Sequence, residues 1–216
     1  MQKRLTEIIR GERPSLSFEV FPPKKSADFE TVRQATEQIA ALHPSYMSVT
    51  YGAGGGTSNY TLAVAQNLES RFGVPVLAHL SCVSSTRAGI RTRLDALRTS
   101  GLRNILALRG DMPENTDAAE LEFHYAAELV EEIKRCGDFC IGGACYPEGH
   151  PESATCEEDL RHLREKVECG CEFLVTQMFF DNSILYNFLY RSLRAGIDVP
   201  VVAGIMPVTS AKQIKR

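Results

Sequence analysis

A chain of 216 residues with 44% apolar content and a net charge of -3 can bury one large core or two small ones. Its Lys and Arg residues are scattered and form no basic face for a phosphate backbone, so a nucleic-acid binder is not expected. The amino-terminal MQKRLTEIIRGER is charged throughout and no apolar run reaches the ~20 residues of a membrane helix, so no signal peptide or membrane association is expected and the cytoplasm is the expected compartment.

The first predicted strand covers 16–21. In LSFEVFPPKK, alternation puts Leu16, Phe18 and Val20 on one face and Ser17, Glu19 and Phe21 on the other, with Pro22 and Pro23 closing the strand. A helix over 27–42 leads to a strand over 46–51, which leaves through the Gly-rich SVTYGAGG. That loop's bare backbone can approach a flat ring or a phosphate, or serve simply as a turn. A helix over 58–72 leads to a strand over 74–82, where LAHLSC puts His79 in step with Leu77 and Ser81; a satisfied core histidine is the plainer reading. A helix over 86–100 leads to a strand over 104–109 that ends in LALRGD. There Arg109 can bind a phosphate with the Asp111 anion fixed beside it, and a surface ion pair is the alternative.

A helix over 117–136 precedes a strand over 140–146, and YPEGHPE then holds Tyr146 and His150 in a stiff loop, suited to gripping a nucleotide or to making a rigid turn. A helix over 155–169 and a strand over 173–180 follow, the latter holding Gln177 among apolar neighbours. A buried amide needs partners, from another side chain or from a heterocycle. A helix over 182–195, a strand over 199–206 and a helical stub at TSAKQIKR complete the series. Gly73, Gly101, Gly137, Gly170 and Gly196 stand where a helix C-cap favours glycine. Seven cysteines, at 82, 136, 140, 145, 156, 169 and 171, form no Cys-x-x-Cys pair and read as reduced packing thiols. A metal site on Cys136, Cys140 and Cys145 is the alternative.

Alternating strands and helices call for an α/β fold with a parallel sheet, either open and doubly wound or closed as a (β/α)8 TIM barrel. No G-x-G-x-x-G follows the first strand, and polar residues gather at many strand ends: Glu19, Thr50, His79, Arg109 with Asp111, Tyr146 and Gln177. Both features favour the barrel, as a single domain over 1–216. With seven strands the last β/α unit is missing, and two edges would be left open. Glu19 then faces the barrel axis between Phe18 and Phe21, poorly solvated, with a raised pKa that suits a general acid. Pairing with an Arg or Lys of a neighbouring strand is the alternative.

FEVFPPK, SVTYGAGG, LALRGD, YPEGHPE, VTQMFFD and GIMPV follow in the order and spacing of the methylenetetrahydrofolate reductases, which the chain resembles from about residue 15 to its end. The resemblance implies FAD at the barrel mouth, reduced by NADH or NADPH and passing a hydride to 5,10-methylenetetrahydrofolate in ping-pong fashion. It implies small-molecule partners, a folate and a nicotinamide nucleotide, and a homo-oligomer is expected. By the same resemblance Glu19 is the acid that protonates the folate, and Asp111 is the carboxylate beside flavin and pterin. Gln177 and Gln213 are implied on the folate side. The implied flavin contacts are Thr50, Tyr51, Ala53, His79, Arg109, Gly110, Asp111, Ala126, Tyr146, His150, Asp159 and Lys166, with Arg109 and Lys166 at the pyrophosphate.

His162 and Glu165 stand where the family often has Asn and Arg, a departure at the dinucleotide contacts. An aromatic beyond Arg216 and an eighth strand would complete the implied substrate site, and control by S-adenosylmethionine is not expected. Two other readings stay open. One is a flavin-free or non-catalytic barrel subunit of a one-carbon complex. The other is a different barrel enzyme, such as a pterin methyltransferase or an aldol-type lyase, though no strand ends in the inward Lys that a Schiff-base lyase needs.

Overall fold

The computed structural model describes residues 2–23, 25–51, 58–112 and 121–214. Seven strands form one sheet: β1 (Ser17–Val20), β2 (Tyr46–Val49), β3 (Val76–Ser81), β4 (Asn104–Leu108), β5 (Cys140–Cys145), β6 (Phe173–Thr176) and β7 (Val201–Val202). Their spatial order is their chain order, and every neighbouring pair is parallel. A doubly wound sheet reverses its order at a switch point. This one never does, as in a barrel wall.

The helices are α1 (Leu5–Ile9), α2 (Phe29–Ala40), α3 (Ser58–Phe72), α4 (Arg87–Thr99), α5 (Ala126–Cys136), α6 (Cys156–Glu168), α7 (Asn182–Arg194) and α8 (Ala211–Ile214). The sequence reading started α5 at residue 117. Residues 117–120 lie outside the described ones, and 121–125 are bends and irregular chain, with Tyr125 the extended residue at the helix's N-cap. The first strand also begins one residue later than expected, leaving Leu16 exposed. Gly73, Gly101 and Gly196 do end helices with positive φ, at 63°, 79° and 82°.

Two apolar clusters occupy the two faces of the sheet. The outer one, between strands and helices, holds Val20, Val49, Val76, Ala78, Leu80, Ile105, Ala107, Ile141 and Leu174. The inner one holds Tyr46, Leu77, Leu106, Cys140 and Phe173, closed from below by Leu5 of α1. Helix α1 was not predicted. The Leu5 amide donates to the Asn104 side chain at 2.9 Å, the Asn104 amide donates back to the Lys3 carbonyl, and Arg4 pairs with Glu172 at 2.8 Å. The floor is thus plugged, and the polar ends of the strands lie at the opposite rim. Cys140 and Cys145 belong to opposite faces of the sheet, and among the described residues no group of His, Cys, Asp and Glu could hold a metal ion. No described helix is long and apolar enough to cross a membrane.

Candidate active site

The inward residues of β1 to β3 rise from the floor in register, Glu19 beside Ser48 and Ser48 beside Leu77, with His79 one inward position further up β3. Glu19 therefore faces the interior, as parity requires. Its side chain remains 47% exposed toward the rim, and the Ser48 hydroxyl approaches it at 3.4 Å. Burial raises its pKa, and the Ser48 hydrogen bond opposes that rise. Phe21, expected to shield it, is exposed instead and turned out at the rim. His79 is almost fully buried, and burial lowers its pKa to about 4. Its Nε2 lies 3.5 Å from the Glu19 Oε2 but has no hydrogen-bond partner, so His79 is not the satisfied core histidine that the sequence also allowed. No Arg or Lys pairs with Glu19 among the described residues.

Beside this group, over the ends of β3 to β6, opens a cavity of about 1260 Å³. Tyr51, Arg109, Gly110, Asp111 and Ala126 line it from one side, and Tyr146, His150, Asp159, Lys166 and Gln177 from the other. Thr50 and His79 do not; the Thr50 backbone is spent on Val20 and on the Thr61 hydroxyl, and His79 lies deeper beside Glu19. Ala53 and the side chain of Gln213 lie outside the described residues. Gln177 is exposed at the mouth and not enclosed by apolar neighbours, because β6 ends at Thr176 and only the Gln177 backbone amide continues the sheet, donating to Cys145.

Gly110 turns the chain with φ 89°, and a Cβ there would meet Val83 and Ser81 at 3.2 and 3.3 Å, so glycine is needed for Asp111 to leave the strand toward the cavity. Tyr146 and His150 meet edge to face at 4.6 Å. Burial raises the pKa of both Tyr146 and Asp159. The Lys166 stem lies in the gap left by Gly143, where a Cβ would meet its Cδ at 2.7 Å. Its ammonium donates to the Ala144 carbonyl at 2.7 Å, makes no ion pair among the described residues, and has its pKa lowered by burial.

Arg109 makes the ion pair that the sequence reading held as its alternative: both terminal nitrogens donate to Glu152, at 2.6 and 2.5 Å, and Nε donates to the Gly110 carbonyl, which leaves two N–H groups free of these contacts. Glu152 stands within YPEGHPE, and its role as a counterion to Arg109 was not read from that motif. Tyr125 and Arg93 escaped the sequence reading, which named His162 and Glu165 only as departures from the family pattern. Tyr125 and His162 stack at 5.2 Å on the cavity wall, with Glu165 3.3 Å from the imidazole. Arg93 of α4 also lines the cavity, and nothing in RAGIRTRLDALRT separates it from the other arginines of that helix.

A parallel sheet wound in chain order, plugged at its amino end and polar at its carboxyl rim, defines a barrel-type α/β protein whose site lies at the mouth. Solved structures agree on the fold. One is a protein from Clostridium thermocellum described as binding two copies of 5-methyl-5,6,7,8-tetrahydrofolic acid, with a TM-score of 0.69 at 16% identity over 99% of this chain and 73% of that one. Another is 2,3-dimethylmalate lyase, with a TM-score of 0.62 at 9% identity over 97% and 75%. The family model described as methylenetetrahydrofolate reductase matches residues 4–216. The 5,10-methylenetetrahydrofolate reductase of Salmonella typhimurium is 39% identical over 94% of this chain and 67% of its own length. A Zea mays methylenetetrahydrofolate reductase (NADH) is 35% identical over 99% of this chain and 38% of its own. The chain belongs to the methylenetetrahydrofolate reductase family.

Proposed function

We propose that the chain reduces 5,10-methylenetetrahydrofolate to 5-methyltetrahydrofolate with NADH or NADPH, through FAD held in the cavity over β3 to β6. The observation that carries the reading is the pairing, in a member of this family, of an inward carboxyl with a raised pKa and a nearby large cavity whose wall holds an ammonium that makes no ion pair among the described residues. The residues present fit a dinucleotide. The Tyr51 hydroxyl is buried without a partner among the described residues, and Lys166 offers the cavity a charge that suits a pyrophosphate. FAD, when bound, would accept a hydride from the nicotinamide and deliver it to the methylene carbon.

The chain's own residues do the rest. Glu19, protonated in a larger fraction of molecules than an ordinary Glu, gives its proton to the folate nitrogen and opens the five-membered ring. Asp111 keeps negative charge near the ring that must give up a hydride, which favours its departure. Gln177, exposed at the mouth, offers a donor and an acceptor edge to the pterin. Lys166 would hold the pyrophosphate of a bound dinucleotide, and Arg109 would add the two N–H groups that Glu152 and Gly110 leave over. A (β/α)8 barrel lacking its last β/α unit, the cytoplasm and self-association belong to the same reading.

An absorbance spectrum tests it. The purified chain should be yellow, bleach when NADH or NADPH is added without oxygen, and regain its colour when 5,10-methylenetetrahydrofolate follows. A folded preparation that stays colourless with added FAD would overturn the proposal in favour of a flavin-free role.

A further inference from the structure

Two arginines reach the cavity from opposite sides, and their charges are not equally available. Arg109 is neutralised by a two-pronged contact with Glu152. Arg93 has no carboxylate partner among the described residues. One terminal nitrogen donates to the Ser85 hydroxyl at 2.7 Å, and the guanidinium carbon lies 5.4 Å from the centre of the Tyr51 ring. Arg93 is only partly exposed, so its charge is less screened by water than that of a surface arginine. The hydroxyl of the Tyr51 ring it covers has no partner among the described residues, and Ser84, Ser85, Tyr51 and Arg93 all line the cavity. A fixed cation with N–H groups to spare and a serine hydroxyl thus meet at the cavity wall.

We propose that Arg93, with Ser85, forms an anion subsite that receives a terminal phosphate monoester of the nicotinamide nucleotide, so that the chain prefers the 2′-phosphorylated cosubstrate. This rests on the flavin reductase reading given above. A monoester suits the site because it presents three terminal oxygens, two for the free edge of the guanidinium and one for the hydroxyl. The bridging pyrophosphate has fewer terminal oxygens on each phosphorus. The guanidinium is already oriented by Ser85 and by the ring below it, so little side-chain freedom is lost on binding.

Calorimetric titration of the oxidised, flavin-loaded chain with NADP+ and NAD+ tests the subsite without turnover. The native chain should bind NADP+ about tenfold tighter than NAD+, as one charge-assisted contact would give. Arg93→Gln should erase that preference and change NAD+ affinity less than about twofold, and Arg93→Lys should keep part of it. Equal affinities in the native chain, or a preference that survives Arg93→Gln, would overturn the proposal. Should the chain take up no flavin, the parent reading fails separately. The subsite is then judged by inorganic phosphate titrated into the flavin-free chain: about tenfold weaker binding in Arg93→Gln supports it, and unchanged binding refutes it.

Discussion

Glu19 and His79 face each other at 3.5 Å with pKa values moved in opposite directions by the same cause. Burial penalises charge, so it favours the protonated carboxyl and the neutral imidazole together. The Nε2 of His79, which has no hydrogen-bond partner among the described residues, can then accept a hydrogen bond from the protonated Glu19 carboxyl when no folate is bound. Glu19→Gln should keep the flavin and its reduction by nicotinamide but slow folate turnover by about 100-fold or more, as loss of a general acid does. Stopped-flow absorbance separates the two half-reactions, and an undiminished folate half-reaction would refute the role. His79 also makes a stability statement. Between its ordinary 6.5 and the folded value of about 4, the unfolded chain binds a proton that the folded chain refuses, so stability falls as pH falls through that window. The loss attributable to His79 between pH 7 and pH 4 is about 3 kcal/mol. Urea unfolding of His79→Gln should show an acid-side decline smaller by that order; equal declines would mean that His79 is protonated in the folded state. Strand parity made Glu19 legible in the sequence. The Arg109 counterion was not, because a contact between residues 43 apart depends on how two loops meet.

At the scale of elements, the strands and most helix ends followed from apolar runs and terminal glycines, whereas α1 did not. Only Leu5 of that short helix is buried, and its partner Asn104 lies 99 residues away, so no local periodicity announces it. The late start of α5 has a local cause. The Glu128 carboxylate accepts from the Tyr125 backbone N–H at 3.0 Å and folds back over the N-cap, fixing the helix start at Ala126. In β5 the sequence CIGGAC reads as a weak strand, yet both glycines make room for neighbours. The Phe173 ring fills the space in front of Gly142, where a Cβ would lie 2.5 Å from two ring atoms. Because Phe173 is fully buried, it cannot yield freely. Gly142→Ala should cost about 1–3 kcal/mol by overpacking. Calorimetry should record a fall of roughly 2–4 °C in Tm for each kcal/mol. No change in Tm would mean that the inner cluster has slack at that level.

Across the whole molecule, burial falls from the centre of the sheet to its sides. Strands β3 and β4 are buried along almost their whole length, while β7 is two half-buried residues and β1 is buried only at Val20. β1 pairs only with β2 and β7 only with β6, so each presents one side without a strand partner in the described sheet. Tyr186, Tyr190 and Leu193, spaced along one face of α7, are exposed. An apolar helix face and open strand edges are surfaces that proteins ordinarily cover. Counting apolar runs foresaw the seven strands, but not how cover is shared between edges and centre. Opening free energy should follow cover, so amides of β1 and β7 should exchange with deuterium about 100-fold faster than those of β3 and β4. Mass-resolved exchange at low protein concentration reads this directly. If β1 and β7 were instead as protected as the centre, their edges would have to be paired in solution. A rise of that protection with protein concentration would then identify a second copy as the cover, because only association between chains makes protection depend on concentration.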